Sequence, residues 1–210
     1  LRQIMPTSPF RWYRAAPAAA LCLLSTVGHA SPLTVAVTGS NGKPLASAIV
    51  AVVVKGVRAT AAPGAMVQIA QRERQFQPQL TVFQTGTAVQ FPNFDTVRHH
   101  VYSFSPIQKF ELKLYAGTPA APVVFDKPGV ATLGCNIHDR MSAWVVVVDT
   151  PYFAKTDAAG VALLDLPPGE HRLRAWHPGL TEFGAWVEQA VHVGSGAERA
   201  AIAVPVEGAV

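Results

Sequence analysis

The chain has 210 residues, 17 lysines and arginines against 13 acidic side chains, half of its residues apolar, and two cysteines. That length admits one large domain or two small ones. Arg2, Arg11 and Arg14 carry much of the positive excess, and with no Lys/Arg stripe and no aromatics interleaved with basic residues, a nucleic-acid surface is excluded.

Residues 1–30 read as an export leader. Arg11 and Arg14 precede the apolar run APAAALCLLSTV from Ala16, and Gly28-His29-Ala30 supplies a small-residue cleavage pattern before Ser31. The run is too short for a stable membrane anchor, and Leu21 stands before Cys22 where a lipoprotein signal takes a small residue. A periplasmic or secreted protein is expected. Without Cys22, Cys135 is a lone free thiol in an oxidising compartment.

Past the leader, short β-branched runs alternate with Gly, Pro, Asn and Asp, and no segment has a convincing helical period. In chain order the runs are LTVAVT from Leu33, AIVAVVV from Ala48, TAVQF from Thr87, FELKLY from Phe110, VVF from Val123, WVVVV from Trp144 and LRAW from Leu173. The expected fold is all-β, built as sandwiches.

One stretch carries the chemistry. GCNIHDRMSA (134–143) sets Cys135, His138 and Met141 three residues apart, so one tight loop can turn thiol, imidazole and thioether toward one point. FPNFDTVRHHVYSFS (91–105) supplies another imidazole, from His99 or its neighbour His100. His99 is the expected ligand, since adjacent strand residues face opposite sides. A thiolate, two imidazoles and a distant thioether favour copper over zinc, because methionine is a poor zinc ligand and suits Cu(I). A lone buried cysteine otherwise packs as a small hydrophobe, and a lone methionine fills core space. Asn93 and Asp95 read as an Asx-type turn shaping the loop before the ligand strand, with hydrogen bonding to a ligand as the alternative; His171, His177 and His192 read as structural or exposed, and Trp176 as core. No nucleophile elbow or open coordination position appears, so no enzyme is expected. The function expected is single-electron transfer; copper trafficking is the alternative.

These residues resemble the cupredoxins, amicyanin in particular. His99-His100-Val101, then Cys135, His138 and Met141, then Val145 to Val148 follow the amicyanin order of an HNV-type strand, CxxHxxM and a Val-rich strand. Plastocyanins carry a longer His-to-Met spacing. The resemblance implies a cupredoxin Greek-key β-sandwich with one type 1 copper on His99, Cys135, His138 and Met141, and a protein redox partner. His100 takes the usual Asn position. Gly134 stands where several electron-carrying relatives have an aromatic, which implies no aromatic exit beside Cys135 and departure through the His138 edge. Two further segments, GKPLASAIV from Gly42 and KTDAAGVALLDLPPGEHRLRAW from Lys155, resemble the halves of a carboxypeptidase-regulatory-like or transthyretin-like β-sandwich. The expected organisation is that sandwich, residues 31–62 and 151–210, interrupted by a copper domain at 65–150. Together the pattern is similar to periplasmic proteins called methylamine utilisation proteins.

Overall fold

The structure is a computed structural model that describes residues 30–206 except 139 and 183. The expected leader, apart from Ala30, lies outside the described residues. The regular elements are all strands: β1 (Ser31–Thr38), β2 (Ile49–Val53), β3 (Met66–Gln68), β4 (Ala70–Arg72), β5 (Gln75–Gln77), β6 (Leu80–Gln84), β7 (Thr87–Gln90), β8 (His99–Ser103), β9 (Phe110–Tyr115), β10 (Val123–Phe125), β11 (Gly129–Gly134), β12 (Ser142–Val148), β13 (Phe153–Lys155), β14 (Val161–Leu166), β15 (Gly169–Trp176), β16 (Val187–Val193) and β17 (Glu198–Ala203).

Strand pairing separates these into two sets. Sheets β14-β1-β17 and β13-β2-β15-β16 use only the first two and last five strands, while β10-β7-β3, β6-β12-β11-β8-β9 and the β4-β5 hairpin use the ten between. The first set closes over a core that includes Leu33, Val35, Val50, Val52, Leu164 and Leu173. The second encloses Phe76, Phe91, Phe125, Leu133, Cys135 and Met141.

The two quoted sequence motifs of the first set are physical partners. Thr156 Oγ1 accepts the Ala48 N–H at 2.9 Å and donates to Leu45 O at 2.7 Å, so one buried hydroxyl joins the Pro44-Leu45 segment to the turn before β14. Asp157 Oδ1 accepts the N–H groups of Ala159 and Val161, both at 2.9 Å, and so shapes that turn. At Gly160 φ is +71°, and a Cβ would meet Val37 O at 2.6 Å. Glycine is required there on both counts.

A third core joins the sets. Ile49 and Ala51 of β2 meet Val146 and Val148 of β12, with Val130 and Trp176 alongside. The alternate residues of the same strands, Val50 and Val52 or Val145 and Val147, belong to the other two cores. Both strands are therefore buried on both faces, which is why AIVAVVV and WVVVV are continuous apolar runs and not alternating ones. The chain's two crossings between sets run side by side: Ala59 N–H donates to Asp149 O at 2.9 Å, and Thr150 Oγ1 donates to Val52 O at 2.6 Å.

Trp176 is 2% exposed in this third core. Trp176→Ala is expected to cost about 3–5 kcal/mol in chemical denaturation; a loss near zero would show that the seam contributes little stability.

Candidate metal centre

Hairpin geometry fixes two of the donors. Gly134 pairs with Ser142 at the end of the β11–β12 ladder, so Cys135 and Met141 are the first residues beyond the last pair. Strand alternation turns both inward with Leu133 and Ala143, into the core of the second set. They are 4% and 2% exposed. The Met141 N–H donates to His138 O at 2.9 Å, closing the loop so that His138 lies near its tip.

The neighbouring strand β8 supplies the next donor. His99, Val101 and Ser103 are fully buried on its inner side. A register irregularity against β9 between His99 and Val101 leaves the intervening His100 buried as well, where strict alternation would expose it. One ligand atom each from His99, Cys135 and His138 lies within 4.8 Å of the others. His100 is not in this group: its Nε2 is 2.9 Å from Glu111 Oε1, and its ring packs on Tyr102.

The spacing suits a shared ion. His99 Nδ1 and Cys135 Sγ are 3.8 Å apart, close to the ~3.7 Å that bonds of ~2.3 Å to sulfur and ~2.0 Å to nitrogen subtend at a trigonal angle. His138 Nδ1 is buried and has no hydrogen-bond partner among the described residues, as a nitrogen reserved for a metal requires. The two imidazole rings are 5.2 Å apart.

His99 is aimed from behind. Its Nε2 lies 2.7 Å from Asp95 Oδ2, and the same carboxylate accepts the N–H groups of Glu73 at 2.7 Å and Arg74 at 2.9 Å. Burial opposes ionisation of Asp95, but the bonds from Arg74, His99 and Glu73 outweigh it and hold the carboxyl below the usual range. Glu73 and Arg74 form the β4–β5 turn with φ of 55° and 59°, a left-handed conformation that costs non-glycine residues about 1–2 kcal/mol each. Their N–H groups point into Asp95 as a result. For Asp95 the alternative reading, a hydrogen bond to a candidate ligand, therefore holds alongside the turn. Asn93 Oδ1 does accept the Asp95 N–H at 2.9 Å, while the Asp95 side chain orients a candidate ligand; the only sequence signal is an acid four residues before a histidine.

Deeper in, the Tyr115 hydroxyl donates to Phe91 O at 2.7 Å and accepts from Gln71 Nε2. Burial pushes this phenol up to about 12, so it stays neutral beneath the site. Beside Cys135 the structure overturns the expectation of a side without aromatics. A Cβ on Gly134 would lie 2.6 Å from Cζ and Oη of Tyr102, its cross-strand partner. The Tyr102 ring occupies that space. His171, His177 and His192 lie on the first set: His171 Nε2 bonds Pro167 O, His177 Nδ1 accepts the Gly179 N–H, and exposed His192 pairs with Glu170.

Solved structures that this chain resembles include cupredoxins. A Cu-containing nitrite reductase from Thermus scotoductus SA-01 is 23% identical over 46% of this chain, with a TM-score of 0.37, and the match spans 25% of that enzyme. An oxidized amicyanin variant is 20% identical over 41% of this chain and 85% of its own, with a TM-score of 0.35. A purple cupredoxin from Nitrosopumilus maritimus is 24% identical over 40% of this chain and 98% of its own, with a TM-score of 0.34. No protein-family model and no curated protein matches the chain.

The Asp95 contact sets the His99 tautomer. In metal-free protein, nitrogen-15 NMR is expected to find the proton on Nε2 and Nδ1 bare, and Asp95→Ala should give mixed tautomers. A proton on Nδ1 in the unsubstituted chain would refute this account of the aiming.

Proposed function

We propose that His99, Cys135, His138 and Met141 hold one type 1 copper ion, and that the protein is a periplasmic or secreted single-electron carrier with a protein redox partner. The observation that carries this is the convergence of one thiol and two imidazoles within 4.8 Å, with Asp95 on Nε2 turning His99 Nδ1 toward Cys135 Sγ and with His138 Nδ1 unpartnered among the described residues. Soft sulfur ligands beside imidazoles suit copper, and a fourth, thioether ligand is one that zinc rarely takes.

Copper held there would supply a one-electron couple at a geometry fixed by the protein. The chain's part is to hold the donors still. Cys135 and Met141 are anchored by the Gly134–Ser142 pair, His99 by Asp95, and the apolar core around them leaves Cys135 and Met141 buried. With four protein donors no position is left for a substrate, which favours a carrier over an enzyme. A metal also protects the thiol that the export reading places in an oxidising compartment. No described helix is long and apolar enough to cross a membrane. The strand sets support the division proposed for the chain: a cupredoxin-like unit, residues 65–150, set into a carboxypeptidase-regulatory-like sandwich of residues 31–62 and 151–210.

Titration with Cu(II) is expected to produce an intense thiolate-to-copper band in the visible. Cys135→Ser and His99→Ala should each abolish it, while His100→Ala should leave it in place. Asp95→Ala should weaken copper by about 10–100-fold through loss of the partner that orients His99. A band that survives Cys135→Ser would sink the assignment. Copper retained against a Cu(I) chelator supports the carrier; ready release would favour trafficking.

A further inference from the structure

On the outer side of β8, His100, Tyr102 and Phe104 form a file of rings. Centroids are 5.5 Å apart for the first pair and 5.0 Å for the second. The file begins at a buried histidine and ends at Phe104, which is 74% exposed. The sheet's outer face is otherwise divided: on the β6–β12 side it is sealed by the third core, and on the β8 side it opens into a groove of about 690 Å³ lined by Tyr102, Phe104, Pro106, Gly134, Cys135 and Met141.

The middle ring is where this file meets the metal centre. Tyr102 lies directly across Gly134, at 2.6 Å from where a Cβ would stand, and Gly134 is bonded to Cys135. Any larger residue at 134 would push the ring away. Covering a cross-strand glycine with an aromatic also stabilises a sheet, but that role needs neither the ring file nor an exposed phenylalanine at its end.

We infer that Tyr102 and Phe104 form a lateral electron port, separate from the His138 edge, through which the centre exchanges electrons with a one-electron redox partner. The port presupposes the copper ion proposed above. Electronic coupling decays more slowly through bonded and closely packed atoms than across a gap, and Cys135, the Gly134 backbone, Tyr102 and Phe104 make a continuous packed route to the surface. In the outward step one electron leaves Cu(I), giving Cu(II), and reduces the acceptor by one electron. No proton moves, because Tyr102 serves only as a bridge and is not itself oxidised. Tyr102 is thus a positioning residue for transfer and not a ligand.

The test uses the copper-loaded chain in a Cys22→Ala background with a photo-oxidisable ruthenium complex on a new thiol, either Pro106→Cys in the groove or Leu114→Cys beyond it. Both sites are exposed, whereas Cys135 is buried. A flash excites ruthenium(II), an added one-electron oxidative quencher takes an electron from it to leave ruthenium(III), and ruthenium(III) then takes the electron from Cu(I) and returns to ruthenium(II). From position 106 the rate should fall severalfold in Tyr102→Ala and in Gly134→Ala and be kept in Tyr102→Phe; from position 114 it should not change. In metal-free protein the Gly134 Hα protons should carry ring-current shifts that Tyr102→Phe retains and Tyr102→Ala loses. An unchanged rate from position 106 in both Tyr102→Ala and Gly134→Ala, with the visible band intact, overturns the port and leaves the carrier reading standing. Absence of the band in the unsubstituted chain overturns both.

Discussion

Everything in this molecule is built around two strands that have no polar face. β2 and β12 each send one row of side chains into their own set's core and the other row toward each other. A strand in this position tolerates no charge and no register slip, since a shift of one residue exchanges its two rows. Because β12 also begins one residue after Met141, the register that joins the two sets is the register that places one candidate donor. Packing and site geometry are the same constraint at opposite ends of one strand.

Three separate devices converge on the donor cluster. A hairpin base sets Cys135 and Met141, the adjacent strand sets His99, and a left-handed turn from the distant β4–β5 hairpin supplies the two N–H groups that hold Asp95. Each device lies on backbone that is already paired, so little ordering is left for an arriving ion to impose. Such preorganisation keeps ligand positions similar whatever the charge at the centre. The strain in Glu73 and Arg74 belongs here: backbone conformations of this kind persist where surrounding contacts over-determine them.

Much of this was legible in the sequence. The long apolar runs at Ala48 and Trp144, and the alternating FELKLY, are strands because β-branched and aromatic residues suit a pleated, buried surface. The three-residue strands MVQ, AQR and QFQ gave no such signal, being too short and polar for a period to show. Cys135, His138 and Met141 could be grouped because they share one loop. The Asp95 contact could be named only as an alternative to a simple turn, since what fixes it is a turn more than twenty residues away whose residues, Glu-Arg, are not typical of left-handed turns. The covering of Gly134 could not be named, as it follows from the β8–β11 register: a glycine in sequence says only that a side chain is missing, and the fold decides what fills the space.

The side-by-side crossings bear on how such a chain folds. β2 and β13 pair with each other, although ten strands intervene between Val53 and Phe153. If that pairing came first it would have to close a loop of about a hundred residues. Once the intervening strands have folded, the same ends are held apart by only the short gap between the two crossings, equivalent to a loop of about ten, and the closure entropy falls by roughly 2 kcal/mol. The middle of the polypeptide thus acts as a splint: its own folding brings together the two halves of the outer strand set, and the chain is favoured to assemble from the inside outward.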